Sequence, residues 1–169
     1  RSTKTHSTIE IDNKNSSDIW SGFRVGNRAK IINEGHSENR NKFIYAEHDG
    51  YKNLTGSPTH LRLWILNKDN LEILDQIKGK GIHKICLRFY LHPECKVDEI
   101  SNNSLLVSRN ASNKKYFQVF IQWEYPFDLS IKNTFWNNGF NKSIKNKCIN
   151  LTTYSSCPLV NKTTFKIKN

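Results

Sequence analysis

Apolar and polar side chains alternate with a period of two along most of this chain, and no segment sustains the i, i+3, i+4, i+7 spacing of an amphipathic helix over three turns. Residues 8–12 set Ile9 and Ile11 on one side, with Thr8, Glu10 and Asp12 on the other, the side shared with His6. Residues 42–48 set Phe43 and Tyr45 against Ile44, Ala46 and His48, and residues 59–66 set His60, Arg62 and Trp64 against Leu61, Leu63 and Ile65. The longest alternating run, residues 82–92, opposes Ile85, Leu87, Phe89 and Leu91 to Cys86, Arg88, Tyr90 and His92 before Pro93 closes it. Residues 28–33, 71–77, 104–109, 116–124 and 162–168 read as further strands, and 19–28 as an extended stretch with a bulge at a Gly. Polar segments separate them: 67–70, the Lys78-Gly79-Lys80-Gly81 break, 34–41, a turn at 110–114, and an Asn- and Lys-rich stretch, 133–147, that reads as a long surface loop. The pattern predicts an all-β chain, an antiparallel β-sandwich of about ten or more short strands, with sequence neighbours paired as meanders.

Chemistry gathers on one hairpin. A strand ending in Glu47-His48-Asp49 turns at Gly50, and the next strand carries His60 and Arg62, so two His, one Arg and two carboxylates converge there. Two readings fit the spacing: a site, or the solvated face of an antiparallel sheet on which such residues are ordinary.

Length and charge narrow the picture. A chain of 169 residues with 36% hydrophobic content builds one domain with a real core. A formal charge of +11 attracts polyanions, whether acidic polysaccharide, nucleic acid or anionic lipid. No apolar run reaches the length of a membrane span, and the first residues lack the apolar core of a signal peptide. With no Met at position 1, the chain reads as part of a longer protein. Cys86, Cys95, Cys148 and Cys157 have no C-x-x-C spacing; free thiols are the default, and two local loops, 86–95 and 148–157, are the alternative for an exported protein.

In order and spacing, a series of motifs resembles the C-terminal domain of the heparinase II/III family of polysaccharide lyases. The series runs Arg1-Ser2-Thr3, Thr5-His6-Ser7-Thr8, Ile11-Asp12, Ser16-Ser17-Asp18-Ile19-Trp20 and Phe23-Arg24-Val25-Gly26-Asn27-Arg28-Ala29. It continues through Glu47-His48-Asp49-Gly50-Tyr51, His60-Leu61-Arg62, Asp75, Gly79-Lys80-Gly81-Ile82-His83 and Phe89-Tyr90-Leu91-His92-Pro93, covering residues 1–93 well and the rest loosely. The resemblance implies that 1–169 is a β-sandwich following an upstream α/α toroid, with the active site between them. It also implies cleavage of uronic-acid-containing chains, heparin- or alginate-like or bacterial exopolysaccharide, by β-elimination in the periplasm or outside the cell.

That reaction needs the uronate carboxylate neutralised while a base removes the proton alpha to it and an acid protonates the leaving oxygen. Imidazole suits the proton transfers and Arg the neutralisation. By resemblance His6 is the catalytic histidine, Arg24, Arg28, His60 and Arg62 are substrate-binding candidates, and His48 with Asp18 are candidate ligands of a structural zinc. The family's remaining catalytic groups lie on the toroid, so 1–169 alone is expected to be inactive. The alternative is a non-catalytic module that grips an acidic polysaccharide. Nucleic-acid binding has no motif to support it.

Overall fold

The computed structural model describes residues 2–39, 42–110 and 116–168, and it is built from strands. In chain order these are β1 (Ile9–Ile11), β2 (Asp18–Trp20), β3 (Arg24–Gly26), β4 (Ile31–Ser37), β5 (Lys42–His48), β6 (Thr59–Leu66), β7 (Asn70–Lys78) and β8 (Ile82–Tyr90). There follow β9 (Lys96–Ser101), β10 (Ser104–Asn110), β11 (Tyr116–Trp123), β12 (Asp128–Gly139), β13 (Lys142–Ser156) and β14 (Leu159–Lys168). One 3₁₀ turn, Thr3–Thr5, precedes them. A four-stranded sheet has the order β1-β8-β13-β12 and an eight-stranded sheet the order β4-β5-β6-β7-β14-β11-β10-β9, with β2-β3 as a separate hairpin. Every pairing is antiparallel.

The two larger sheets bury one core. Ile9, Ile11, Ile85, Leu87, Phe89, Ile149 and Leu151 come from the first; Ile73, Ile77, Leu105, Ile121, Trp123 and Leu159 come from the second. Phe89 and Phe165 meet edge to face across the gap, ring centroids 5.1 Å apart. This is the expected sandwich, and β4 to β7 and β9 to β11 are meanders. The expected meander does not continue from β7 into β8: β8 crosses to the smaller sheet between β1 and β13, and β14 takes its place beside β7.

Three further sequence readings change. The stretch 19–28, read as one extended segment with a bulge, is the β2–β3 hairpin, with residues 21–23 turning between Asp18–Trp20 and Arg24–Gly26. The stretch 133–147 is the far end of the β12–β13 hairpin, paired from Asp128↔Thr152 to Gly139↔Lys142. Its outer part is exposed, so backbone pairing holds it with little core burial, and no alternation had to be written into its Asn- and Lys-rich sequence. The expected loop at 34–41 begins as the end of β4, and its last two residues, like 111–115 of the expected 110–114 turn, lie outside the described residues. All four cysteines are free.

Candidate functional site

The hairpin β5–β6 does bring ionisable groups together, on the inner face of the large sheet. Register places Arg62 beside Asp75 and His60 beside Ile77. Because Ile73 and Ile77 belong to the core, residues of the same parity point inward with them. His60 is 2% exposed, Arg62 6% and Asp75 0%. Arg62 donates through Nε and Nη2 to the two Asp75 carboxylate oxygens at 2.7 and 3.0 Å, and His60 Nε2 lies 2.7 Å from Oδ1. Burial works to raise the Asp75 pKa, but the Arg62 charge and the His60 hydrogen bond outweigh it and hold the carboxyl below its ordinary range. Two of the four side chains assigned from sequence to substrate, His60 and Arg62, are therefore placed in the interior, where they share Asp75 as their partner.

The Arg62 nitrogen that does not meet Asp75, Nη1, is directed to the N-terminal segment. It donates to the Ser7 carbonyl at 2.6 Å. Tyr90 holds the same segment twice more, its N–H donating to Ser7 Oγ at 3.0 Å and its hydroxyl to the Lys4 carbonyl at 2.5 Å. The Arg88 N–H donates to the Thr8 carbonyl, and the Ser16 N–H to Thr3 Oγ1. His6 thus sits exposed on a turn tied to the core on both sides. The β1 end is fixed by Asp12, which adopts φ of 51° and accepts from His83 Nδ1 and the Lys84 N–H at 2.7 and 2.9 Å.

Asp18, Arg24 and Arg28 belong to a different element, the β2–β3 hairpin and its exit, and all three are exposed. Asp18 Oδ2 accepts from Asn27 Nδ2 at 2.6 Å. His48 Nδ1 accepts the Gly50 N–H at 3.1 Å, and the His48 ring meets His60 edge-on at 5.3 Å. A Cβ on Gly50 would lie 2.5 Å from the Ser16 carbonyl, so this position takes no side chain without moving the backbone. Among the described residues no group of three or more His, Cys, Asp or Glu is placed to hold an ion.

Burial, reinforced by the neighbouring His60, pushes the His48 pKa down to about 4, leaving it neutral to accept from Gly50. In the unfolded chain the group titrates near its ordinary value of about 6.5. Between those values the unfolded state takes a proton that the folded state refuses, so stability falls as pH drops from about 6.5 through about 4. The loss should reach about 2–3 kcal/mol. Urea unfolding across that range checks it, and His48→Asn should flatten the slope; an equally steep slope in the variant refutes the assignment.

Sequence reasoning named His6 and Arg62 but gave Arg62 to the substrate rather than to the turn that holds His6. Tyr90 lay within a quoted motif without a role. Trp136, which packs on His92 with ring centroids 5.3 Å apart, lay in the stretch read as loop.

Comparison with known proteins places this geometry in context. No curated protein matches the sequence. Among solved structures, a heparinase III gene product aligns over 99% of this chain with TM-score 0.74 and 14% identity. A heparan sulfate lyase from Pedobacter heparinus aligns over 100% with TM-score 0.73 and 16% identity. A further heparinase III aligns over 99% with TM-score 0.70 and 18% identity. Identities at this level establish a shared fold, and the chain spans about a quarter of the length of each of these proteins, 24 to 25%. The family model described as heparinase II/III-like, C-terminal, matches residues 1–156, from the His6 turn through the end of β13. The chain therefore belongs to the heparinase II/III-like C-terminal family.

Proposed function

We propose that this domain forms the β-sandwich part of a polysaccharide lyase that cleaves uronic-acid-containing chains by β-elimination, with an upstream toroidal domain supplying the opposite wall of the cleft. Beside family membership, one observation carries the reading: His6 is exposed on a turn clamped by Arg62 and Tyr90 on either side. A proton-transfer group must be reachable by substrate yet held in place, and that turn meets both demands.

In this mechanism the His6 imidazole moves a proton, either taking the one alpha to the uronate carboxylate or returning one to the leaving glycosidic oxygen. The exposed guanidinium groups of Arg24 and Arg28 are the substrate-facing charges that offset the carboxylate. His60 and Arg62 act from the interior, Arg62 by fixing the Ser7 carbonyl next to His6. No step is assigned to zinc. A substrate of this class puts the protein in an exported compartment.

The longer protein, incubated with heparan sulfate, alginate and bacterial acidic polysaccharides, should generate ultraviolet absorbance from unsaturated uronate on one of them. The 169-residue chain alone should generate none. Binding without absorbance on any substrate would favour a purely recognising module and end the catalytic reading.

A further inference from the structure

A groove opens beside the His6 turn, and we propose that it binds one acidic pyranose residue, with Trp136 as the stacking surface and Lys4 as the counter-charge. The saccharide class rests on the lyase reading; the groove's geometry and its test do not depend on turnover.

The groove encloses about 860 Å³ between the N-terminal turn, the end of β8 and the β12–β13 hairpin. Lys4, Tyr90, His92, Phe135, Trp136 and Asn137 supply its chemistry, and among the described residues no Asp or Glu lines it. Glu94, 3.7 Å from His92 Nδ1, is held by Arg109 at 2.9 Å, which offsets its charge.

The walls are fixed. Asn146 Nδ2 donates to the Leu91 carbonyl at 3.0 Å and Asn146 Oδ1 accepts from Thr134, pinning the hairpin to the end of β8. The Leu91 N–H donates to the Lys147 carbonyl at 2.9 Å. Tyr90, through Lys4, ties the opposite wall. On this framework two large aromatics stay in water, Trp136 at 41% and Phe135 at 63% exposure, with His92 packed against the Trp136 ring.

Exposed aromatic faces on a pinned hairpin are suited to a flat, partly apolar partner. A pyranose presents a C–H face to such a ring, its hydroxyls suit Asn137, and its carboxylate or sulfate suits Lys4 in a groove free of opposing charge. A neutral sugar would leave the cation unused, and a flexible polyanion would leave the ring unused.

Isothermal titration of the 169-residue chain with a heparan sulfate hexasaccharide, with cellohexaose and polyphosphate as comparison titrants, tests this. Trp136→Ala should weaken hexasaccharide binding at least fivefold while changing polyphosphate binding less than twofold. Lys4→Gln should weaken the hexasaccharide severalfold and reduce the salt dependence. Cellohexaose should bind at least fivefold more weakly than the hexasaccharide. Thermal midpoints within about 2 °C of the unsubstituted chain confirm that the fold is kept; Trp136→Phe replaces Trp136→Ala if it is not, and should restore most of the affinity. A change below fivefold in Trp136→Ala, as expected if another protein segment fills the groove, or no hexasaccharide binding by the unsubstituted chain, overturns the proposal. Failure of the lyase reading is seen elsewhere, as absent turnover in the longer protein with hexasaccharide affinity intact.

Discussion

Asp75→Ala should cost about 3–5 kcal/mol of folding stability, a large part of what a domain of this size possesses. The substitution leaves the Arg62 guanidinium 6% exposed, over the Trp64 and Phe89 rings, with no counter-charge and no acceptor for Nε and Nη2. Asp75→Asn should fall between, since it keeps an acceptor and loses the charge. The pair as a whole is a different matter: Arg62→Met with Asp75→Leu should recover most of the loss, because two apolar side chains suit that interior as well as a desolvated ion pair does. Urea denaturation of the three variants measures it. A loss below 1 kcal/mol for Asp75→Ala would mean that water reaches the site and that the clamp on Ser7 is not built as described. The double variant also separates stability from positioning, since it restores the fold without restoring the Arg62 to Ser7 bond.

His6→Ala in the longer protein should lower kcat by about 10²–10⁴-fold, with KM changed no more than a few-fold. A proton-transfer group contributes in the transition state, and the sugar is held mainly by other contacts, so the loss falls on kcat. Stability should not move, because the His6 side chain is exposed and the turn is held through the carbonyls of Lys4 and Ser7. The Arg62→Met, Asp75→Leu double variant should show a smaller kcat loss from a loosened turn. If His6→Ala retains full turnover, the assignment of His6 is wrong and the proton must be handled from the facing domain.

Much of the sandwich was legible because alternation is a local property. Residues 42–48, 59–66, 71–77 and 82–92 all became strands close to where the pattern put them. Which face of a strand lies inside was harder. His60 and Arg62 look like solvent-facing residues, and Leu61 and Leu63 look like core, until the register of the hairpin is worked out. A turn at 67–70 sets Leu66 opposite Leu71, and counting back sets Arg62 opposite Asp75. Asp75 shares its parity with Ile73 and Ile77, so an acid in an apolar row facing an Arg was the available signal for a buried pair. The β12–β13 hairpin carried no such signal, since its outer residues meet water on both faces. The clamp on His6 could not be read at all: it joins Ser7 to Arg62 and Lys4 to Tyr90 through backbone carbonyls, and any residue at 4 or 7 has a carbonyl.

The position of β14 has a consequence for how the molecule is made. This strand is the last of the fourteen in the described residues, yet it lies between β7 and β11, pairing with both. In the large sheet no other strand links the β4–β7 meander to the β9–β11 meander. As the chain leaves the ribosome, each meander can form as soon as its own residues emerge, but the edges of β7 and β11 stay open until Leu159–Lys168 emerges. Those two bare edges are templates for pairing with other chains. The nascent protein therefore passes through a stage in which thirteen strands are present and the sheet is still two pieces, and a chain ending before Leu159 would be left there, prone to aggregate rather than to form a smaller fold.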